Sequence, residues 1–408
     1  MPVPLLPDPI PHRAFSPLVR SSWVLRRWLT DSDARSNAVR KFEEAVASRL
    51  GVPHVIATSS GRVALRAILE ALDLERGSPI WLPVNTYDGL LPAVAASGLS
   101  PRFADIAADY NLDPEDLDHR IAREGAGGVL VATHMFGLPC RLEALSNTCS
   151  RQGLVMVEDC AHAFGTEAGG RTAGVTGIAG ILSFQARKSI NTLGGGAVVT
   201  RDDALASKVR SMIDRNRRKG ARALLQLATY SIERNLLFAA PGYVATHMIF
   251  ENRGLFEGAR SSYGSLVGLG RGDTMGLSPL QAMLGLAQVD AWDVRKARLD
   301  RIWAAYDAAI GNDGLVERPP RQKETGHGRY MYVVRVPDPA GMADRLWKEG
   351  IGTARGSPLV PCLDPAGIDS YPGVRDGVAH ALQIPFADGL NDRQVERVAD
   401  ALRRLSRG

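Results

Sequence analysis

The sequence predicts an α/β fold: a mostly parallel sheet of seven strands covered on both faces by helices, followed by a smaller α+β part. Three observations carry this. Short runs such as Gly128–Ala132 (GVLVA) and Leu154–Val157 (LVMV) are apolar throughout, the mark of strands buried on both faces. Segments with helical spacing separate these runs through the first half of the chain, as in a βαβ architecture. The length of 408 residues is too great for one small core and fits two domains, or one large α/β domain with an appendage.

The elements follow in order. Residues 1–35 are Pro-rich, then Arg- and Trp-rich, and read as an extended arm leading into a helix. Arms of this kind often pack on a partner subunit. Ser36 to Leu50 carries Val39, Phe42, Val46 and Leu50 at helical spacing and stops at Gly51. Strands are expected at Val55–Thr58, Ile80–Leu82, Pro101–Ala104, Gly128–Ala132, Leu154–Val157, Gly180–Phe184 and Gly196–Thr200. Helices are expected at Arg62–Leu72, Tyr87–Ala96, Asp113–Ile121, Leu142–Gln152 and Asp203–Ile213. Little chain separates the last two strands, so one pairing there is expected to be antiparallel. From about 215 to 272 the alternation breaks into a helical insertion that ends in a Gly/Ser-rich stretch. Helices Pro279–Asp293 and Lys296–Ile310 come next. The C-terminal part is mixed: strand Tyr330–Val336, helix Gly341–Glu349, extended Gly352–Leu359, helix Arg375–Ala381, strand Leu382–Pro385 and helix Asp392–Leu405. The expected division is an arm over 1–35, a large part over 36–290 and a small part over 291–408.

Composition narrows the function. The net charge of +5 is small for this length, and no Lys/Arg tract with interleaved aromatics argues for nucleic acid. The short basic run Arg215–Lys219 reads as a solvated surface or a site for one anion. Cys140, Cys149, Cys160 and Cys362 show neither a Cys-x-x-Cys pair nor zinc spacing, so free thiols in a reducing cytoplasm are expected and no metal. The N-terminus has no apolar core of a secretory signal, and no apolar run approaches the roughly 18 residues that span a membrane.

In an open α/β sheet, ligands sit at the carboxyl ends of the strands. The polar residues there are Ser60-Gly61-Arg62, Thr86-Tyr87, His134, Asp159, His162, Ser183 and Lys188. One strand ends in an acid and the next leads to a lysine, a layout that suits pyridoxal phosphate. That cofactor needs a lysine to bond covalently and an acid beside its ring nitrogen. Gly61 and Arg62 open a helix, where N–H groups and the dipole favour a phosphate, and Ser183 can add a hydroxyl. Tyr87 can stack on the ring. Each residue also has a plain structural reading: a Ser-Gly turn, a core tyrosine, a helix-capping Asp159, satisfied histidines at 134 and 162, a surface Lys188. The case rests on their order at successive strand ends.

The chain resembles the DegT/DnrJ/EryC1/StrS family, the fold type I sugar aminotransferases with an aspartate-aminotransferase-like fold. The resemblance is carried by Ser60-Gly61-x-x-Ala64-Leu65, Phe103-x-Asp105, Asp105 to Pro114, His134-x-Phe136-Gly137-x-Pro139, Glu158-Asp159-Cys160-Ala161-His162-Ala163-x-Gly165, Ser183-Phe184-x-x-x-Lys188, Gly195-Gly196-Ala197-Val198, Leu280-Gln281-Ala282-x-Leu284-Gly285-Leu286-x-Gln288 and Gly350-Ile351-Gly352-Thr353. It covers most of the chain. It implies an enzyme that uses pyridoxal phosphate to move an amino group from glutamate or glutamine onto a keto sugar, usually nucleotide-linked. It implies Lys188 as the covalent lysine, Asp159 on the ring nitrogen, His162 near the phenolic oxygen and Tyr87 on the ring. Ser60, Gly61, Arg62 and Ser183 would lie at the phosphate. It also implies a homodimer whose active sites are completed across the interface.

Three departures stand out. Arg62 occupies a position that is often threonine, and Leu193-Gly194 replaces the usual Gly-Glu. Thr274-Met275-Gly276-Leu277 replaces an Asn-Tyr-Arg-Met segment whose asparagine reaches the partner's phosphate, which makes Thr274 the candidate substitute. The 215–272 insertion reads as helices across the dimer or over the site, or else as a membrane-surface contact. Alternatives to the sugar aminotransferase are amination of a non-nucleotide ketone such as a cyclitol, and a regulator that binds the cofactor without turnover. Lys188 argues against loss of chemistry.

Overall fold

The computed structural model describes residues 9–12, 18, 20–214, 224, 276–311, 314–320, 325–355 and 365–406. The expected insertion, apart from Leu224, and Thr274 lie outside these residues.

Helices α1 (Ser21–Thr30) and α2 (Ser32–Leu50) lead into β1 (His54–Thr58), α3 (Gly61–Leu72), β2 (Pro79–Pro83), α4 (Leu91–Ala96), β3 (Ser100–Ala104), α5 (Pro114–Glu124), β4 (Gly128–Thr133), α6 (Leu142–Gln152) and β5 (Leu154–Asp159). A small hairpin, β6 (Glu167–Ala168) and β7 (Arg171–Thr172), precedes β8 (Ala179–Ser183), β9 (Gly196–Thr200) and α7 (Asp203–Asp214). The seven strands order β1-β9-β8-β5-β4-β2-β3. β9 runs antiparallel to both β1 and β8, and the other pairings are parallel. The expected antiparallel step is therefore β9.

The apolar runs are explained by where alternate residues go. Ile80, Leu82, Val129, Val131, Val157 and Ile181 face one layer, with α3, α4 and α7. Trp81, Leu130, Ala132 and Met156 face the opposite layer, with α5 and α6. At the β1 end, Val55, Ala57, Leu182, Ala197 and Val199 meet α2 and the long helices that follow.

Those helices are α8 (Pro279–Asp290), opened by a Ser278/Gln281 capping box, and α9 (Trp292–Ala309). Then come β10 (Thr325–Gly326), β11 (Tyr332–Arg335), α10 (Pro339–Lys348), β12 (Ala354–Arg355), α11 (Pro372–His380), β13 (Ala381–Ile384) and α12 (Asp392–Ser406). β11, β13 and β12 form an antiparallel sheet, as an α+β C-terminal part requires. At Ile10 the N-terminal arm lies on its own chain, where it pairs with Ile351 and exchanges hydrogen bonds with Gly350 and Gly352.

Two boundaries differ from expectation with a clear cause. The helix expected from Tyr87 begins with a 3-10 turn at Asp88–Leu90 and turns α-helical only at Leu91, with Pro92 in its first turn. Strand β5 runs past its apolar core through Glu158 and Asp159, whose buried carboxylates stay in register with β8.

Candidate active site

Because β1, β2, β4, β5 and β8 are parallel, their carboxyl ends share one edge of the sheet, and the candidates stand along it. Ser60 follows β1, Tyr87 follows β2, Asp159 closes β5 with His162 just beyond, and Ser183 closes β8 with Lys188 in the turn after it.

Asp159 is buried, and burial pushes its carboxyl above the usual range against the pull of the Ala161 N–H and the Lys188 ammonium. Its one side-chain hydrogen bond among the described residues is Ala161 N–H to Oδ1 at 2.9 Å. A buried carboxylate held by a single neutral donor has capacity left for a cationic N–H.

The neighbouring acid has a different job. Glu158 is buried and accepts N–H groups from Gly174 at 2.7 Å, Thr176 at 2.6 Å and Gly177 at 2.9 Å. His134, also buried, takes the Cys140 N–H on Nδ1 at 3.0 Å, so its Nε2 carries the proton donated to Glu158 at 2.9 Å. Burial alone raises Glu158, but the His134 bond and the N–H groups of Gly174 and Gly177 outweigh it and hold its carboxyl below the usual range. The pair stiffens the strand end beneath Asp159. His134 is thus a structural histidine.

His162 stacks on Tyr330, with centroids 4.4 Å apart, and its Nδ1 faces the Phe136 N–H at 3.4 Å. Desolvation, with the Lys188 ammonium adding to it, pushes its pKa well below the ordinary value, so the ring is neutral at neutral pH. The Lys188 Nζ lies 5.0 Å from the Tyr330 ring centre, over its face. Tyr330 therefore touches both Lys188 and His162, although the sequence marks it only as the start of a strand. Its signal is faint, one of two tyrosines in Arg329-Tyr330-Met331-Tyr332, just ahead of β11.

Ser60 caps α3 through its Oγ, which accepts the Val63 N–H at 3.2 Å. Among the described residues the Gly61 and Arg62 N–H groups find no acceptor, and the first turn of α3 holds no acid, so its positive end is open to an anion. Ser183 is adjacent: a Cβ on Gly61 would lie 3.5 Å from the Ser183 Cβ. On Gly196 a Cβ would run into the backbone of Ser60, Gly61 and Leu182. The approach of α3 to β8 and β9 is what forms this cradle. Among the described residues, Arg62 makes no ion pair.

Tyr87 stands apart. It is 57% exposed, with its ring against Gly89, and no hydrogen bond or ring contact joins it to the others among the described residues. The unspent carboxylate oxygen of Asp159, with Lys188 close enough to act on it, and the open end of α3 beside Ser183 fit the ring nitrogen, aldehyde and phosphate of pyridoxal phosphate.

The model of the DegT/DnrJ/EryC1/StrS aminotransferase family matches residues 24–403. Among curated proteins, the chain is 29% identical over 225 residues to GDP-perosamine synthase of Vibrio cholerae, covering 55% of this chain and 59% of that one. It is 26% identical over 384 residues to GDP-perosamine synthase of Caulobacter vibrioides, covering 89% and 88%. It is 26% identical over 373 residues to L-glutamine:2-deoxy-scyllo-inosose aminotransferase of Streptomyces paromomycinus, covering 89% and 78%. Among solved structures it resembles DesI in the presence of its TDP-sugar product, with a TM-score of 0.73, 25% identity, and 98% and 94% of the two chains covered.

Proposed function

The chain belongs to the DegT/DnrJ/EryC1/StrS aminotransferase family, and from that premise we propose that it transfers an amino group from glutamate or glutamine to a nucleotide-linked keto sugar. The enzyme is a pyridoxal-phosphate-dependent transaminase of fold type I. The observation that carries the proposal is the convergence of Asp159, Lys188 and the open start of α3 on one sheet edge. Similarity to GDP-perosamine synthases and to a TDP-sugar enzyme supports the sugar nucleotide as acceptor.

Bound pyridoxal phosphate supplies an aldehyde that takes up and returns the amino group, and a ring that accommodates the electrons left at the substrate carbon. The protein does the rest. Lys188 would hold the cofactor and carry the proton to and from the substrate carbon. Asp159 would keep a proton on the ring nitrogen. Neutral His162 would be the hydrogen-bonding partner of the phenolic oxygen. Ser60, Gly61, Arg62 and Ser183 would hold the phosphate, with Thr274 in the place of the family's asparagine from a partner subunit. Tyr87 would be the residue to cover the ring. This assignment includes a homodimer with shared sites, a division into 1–35, 36–290 and 291–408, and a cytoplasmic enzyme. Among the described residues, no helix is long and apolar enough to cross a membrane.

Mixing the loaded protein with glutamate tests the donor half. The bound cofactor's absorbance should move to that of its amine form, and adding a keto sugar nucleotide should return it. No shift with glutamate or glutamine points instead to a regulator without turnover. Likeness to the scyllo-inosose enzyme favours one second reading, a cyclitol ketone as acceptor. Return of the absorbance by such a ketone alone would select it. In Lys188→Ala, borohydride should leave no cofactor bonded to the chain. A retained covalent label would mean another lysine does this work.

A further inference from the structure

Lys188 sits in a turn, and what fixes that turn is a separate question from what Lys188 does. We propose that Gln281, Gln288 and Arg295 are positioning residues that lock the Lys188 turn, and that Arg295 ties it to the C-terminal part through Asp388; this rests on Lys188 being the covalent lysine.

The three residues are spaced seven apart, two helical turns each, on α8 and α9, which only Ala291 separates. All are buried, at 1%, 1% and 7% exposure, and buried amides and guanidinium groups persist only when hydrogen-bonded. Their bonds go to the backbone that follows Lys188, in reverse order along it. Arg295 donates to the Ser189 carbonyl at 2.8 Å. Gln288 accepts the Asn191 N–H at 3.0 Å and donates to the Asn191 carbonyl. Gln281 donates to the Thr192 carbonyl at 3.1 Å and to the Gly194 carbonyl at 2.7 Å.

From Ser189 to Gly195 the segment forms no strand ladder; its own ties are the Thr192 and Gly194 N–H groups on the Phe184 carbonyl at 2.9 and 3.2 Å and the Leu193 N–H on Asn191 Oδ1 at 2.8 Å. The three helix residues add to these where Leu193 is held left-handed at φ 65°, a conformation that a non-glycine residue adopts only when its surroundings impose it. The last rung reaches further. The Arg295 Nε meets the Asp388 Oδ2 at 2.6 Å in a buried ion pair, and Asp388 lies just beyond β13. One guanidinium thus joins the residue after the lysine to the C-terminal part, from which Tyr330 meets the lysine's other end.

The test uses Gln288→Met, which keeps volume and removes the rung. The double variant Arg295→Met/Asp388→Leu removes both charges together, so that no unpaired buried charge unfolds the protein. Borohydride trapping with peptide mapping measures the fraction of cofactor bonded to Lys188, alongside kcat and the donor KM. A misplaced lysine should lower the trapped fraction severalfold and kcat by about ten- to a hundredfold, with KM within about twofold and the denaturation midpoint of the double variant near wild type. Folded variants with unchanged trapping and kcat would overturn the clamp alone. Wild type carrying no cofactor on Lys188 would overturn both the clamp and the lysine's assignment.

Discussion

Asp159 shows at the scale of one residue how function and stability oppose each other. Its carboxyl is raised by burial, so the folded chain without cofactor must ionise it at a cost that the unfolded chain avoids. The sign follows. Below the unfolded carboxyl's pKa both states are protonated and Asp159 contributes nothing. As pH rises through the folded pKa, wild type loses stability relative to a neutral isostere. Asp159→Asn should therefore stabilise the cofactor-free chain at neutral pH by about 1 kcal/mol, with the gain vanishing in acid, and should lower turnover by about a hundredfold or more. Urea melts at several pH values check the first half, and an equal or lower midpoint at neutral pH would contradict it. His162 gives the complementary sign. Its folded pKa lies well below that of a free histidine, so the stability linked to it is present above the unfolded pKa and is lost as pH falls through the folded one. His162→Gln should flatten the loss of stability on the acid side of pH 6.5. At this scale the sequence showed where Asp159 and Lys188 stand, because each follows an apolar run: Asp159 closes β5, and Lys188 lies in the turn after β8. Tyr330 was not readable, because its role depends on a C-terminal segment reaching back over β5 and β8.

At the scale of elements, the open start of α3 is shaped by its close packing against the carboxyl end of β8 and the start of β9. Gly196 lies at the closest approach, where a methyl group would meet backbone atoms of Ser60, Gly61 and Leu182 that have no room to yield. Gly61→Ala meets only ordinary contacts, the nearest being the Leu182 carbonyl at 3.4 Å. Gly196→Ala should thus cost about 1–3 kcal/mol and weaken cofactor binding, whereas Gly61→Ala should stay within about 0.5 kcal/mol. Equilibrium unfolding of the pair decides it, and equal costs would remove the close packing as the cause. The sheet strands were legible because burial on both faces leaves continuous apolar runs. The β6–β7 hairpin was not, since two-residue strands carry no period, and the true end of β5 was hidden because its last two residues are charged.

At the scale of the whole molecule, the seven-stranded sheet and the C-terminal three-stranded sheet share an apolar core crossed by polar ties, a relation between distant segments that no local pattern displays. That core runs without a break from Ile10 and α2 through α8 and α9 to α12. One such tie is at Asp105, just past β3, whose carboxylate accepts the N–H groups of Gly373 at 2.6 Å and Val374 at 2.9 Å in the first turn of α11. Arg120 of α5 reinforces it by donating to the Ser370 carbonyl at 2.9 Å and lying over the Tyr371 ring. The sequence showed Asp105 as part of a motif but not its partner, which lies 268 residues away. Asp105 also accepts the Ile106 N–H at 2.8 Å, so its removal leaves donors unpaired on both sides of the junction. Asp105→Ala should cost about 2 kcal/mol, and Asp105→Asn, which keeps one acceptor, about half of that. The loss should also be local first. Hydrogen exchange should quicken in Pro372–His380 before it changes in Leu154–Asp159, because α11 loses its tether while the β5 ladder is untouched. Equal acceleration in both segments would mean that the two parts unfold as one unit, with Asp105 acting on the whole fold rather than at the joint.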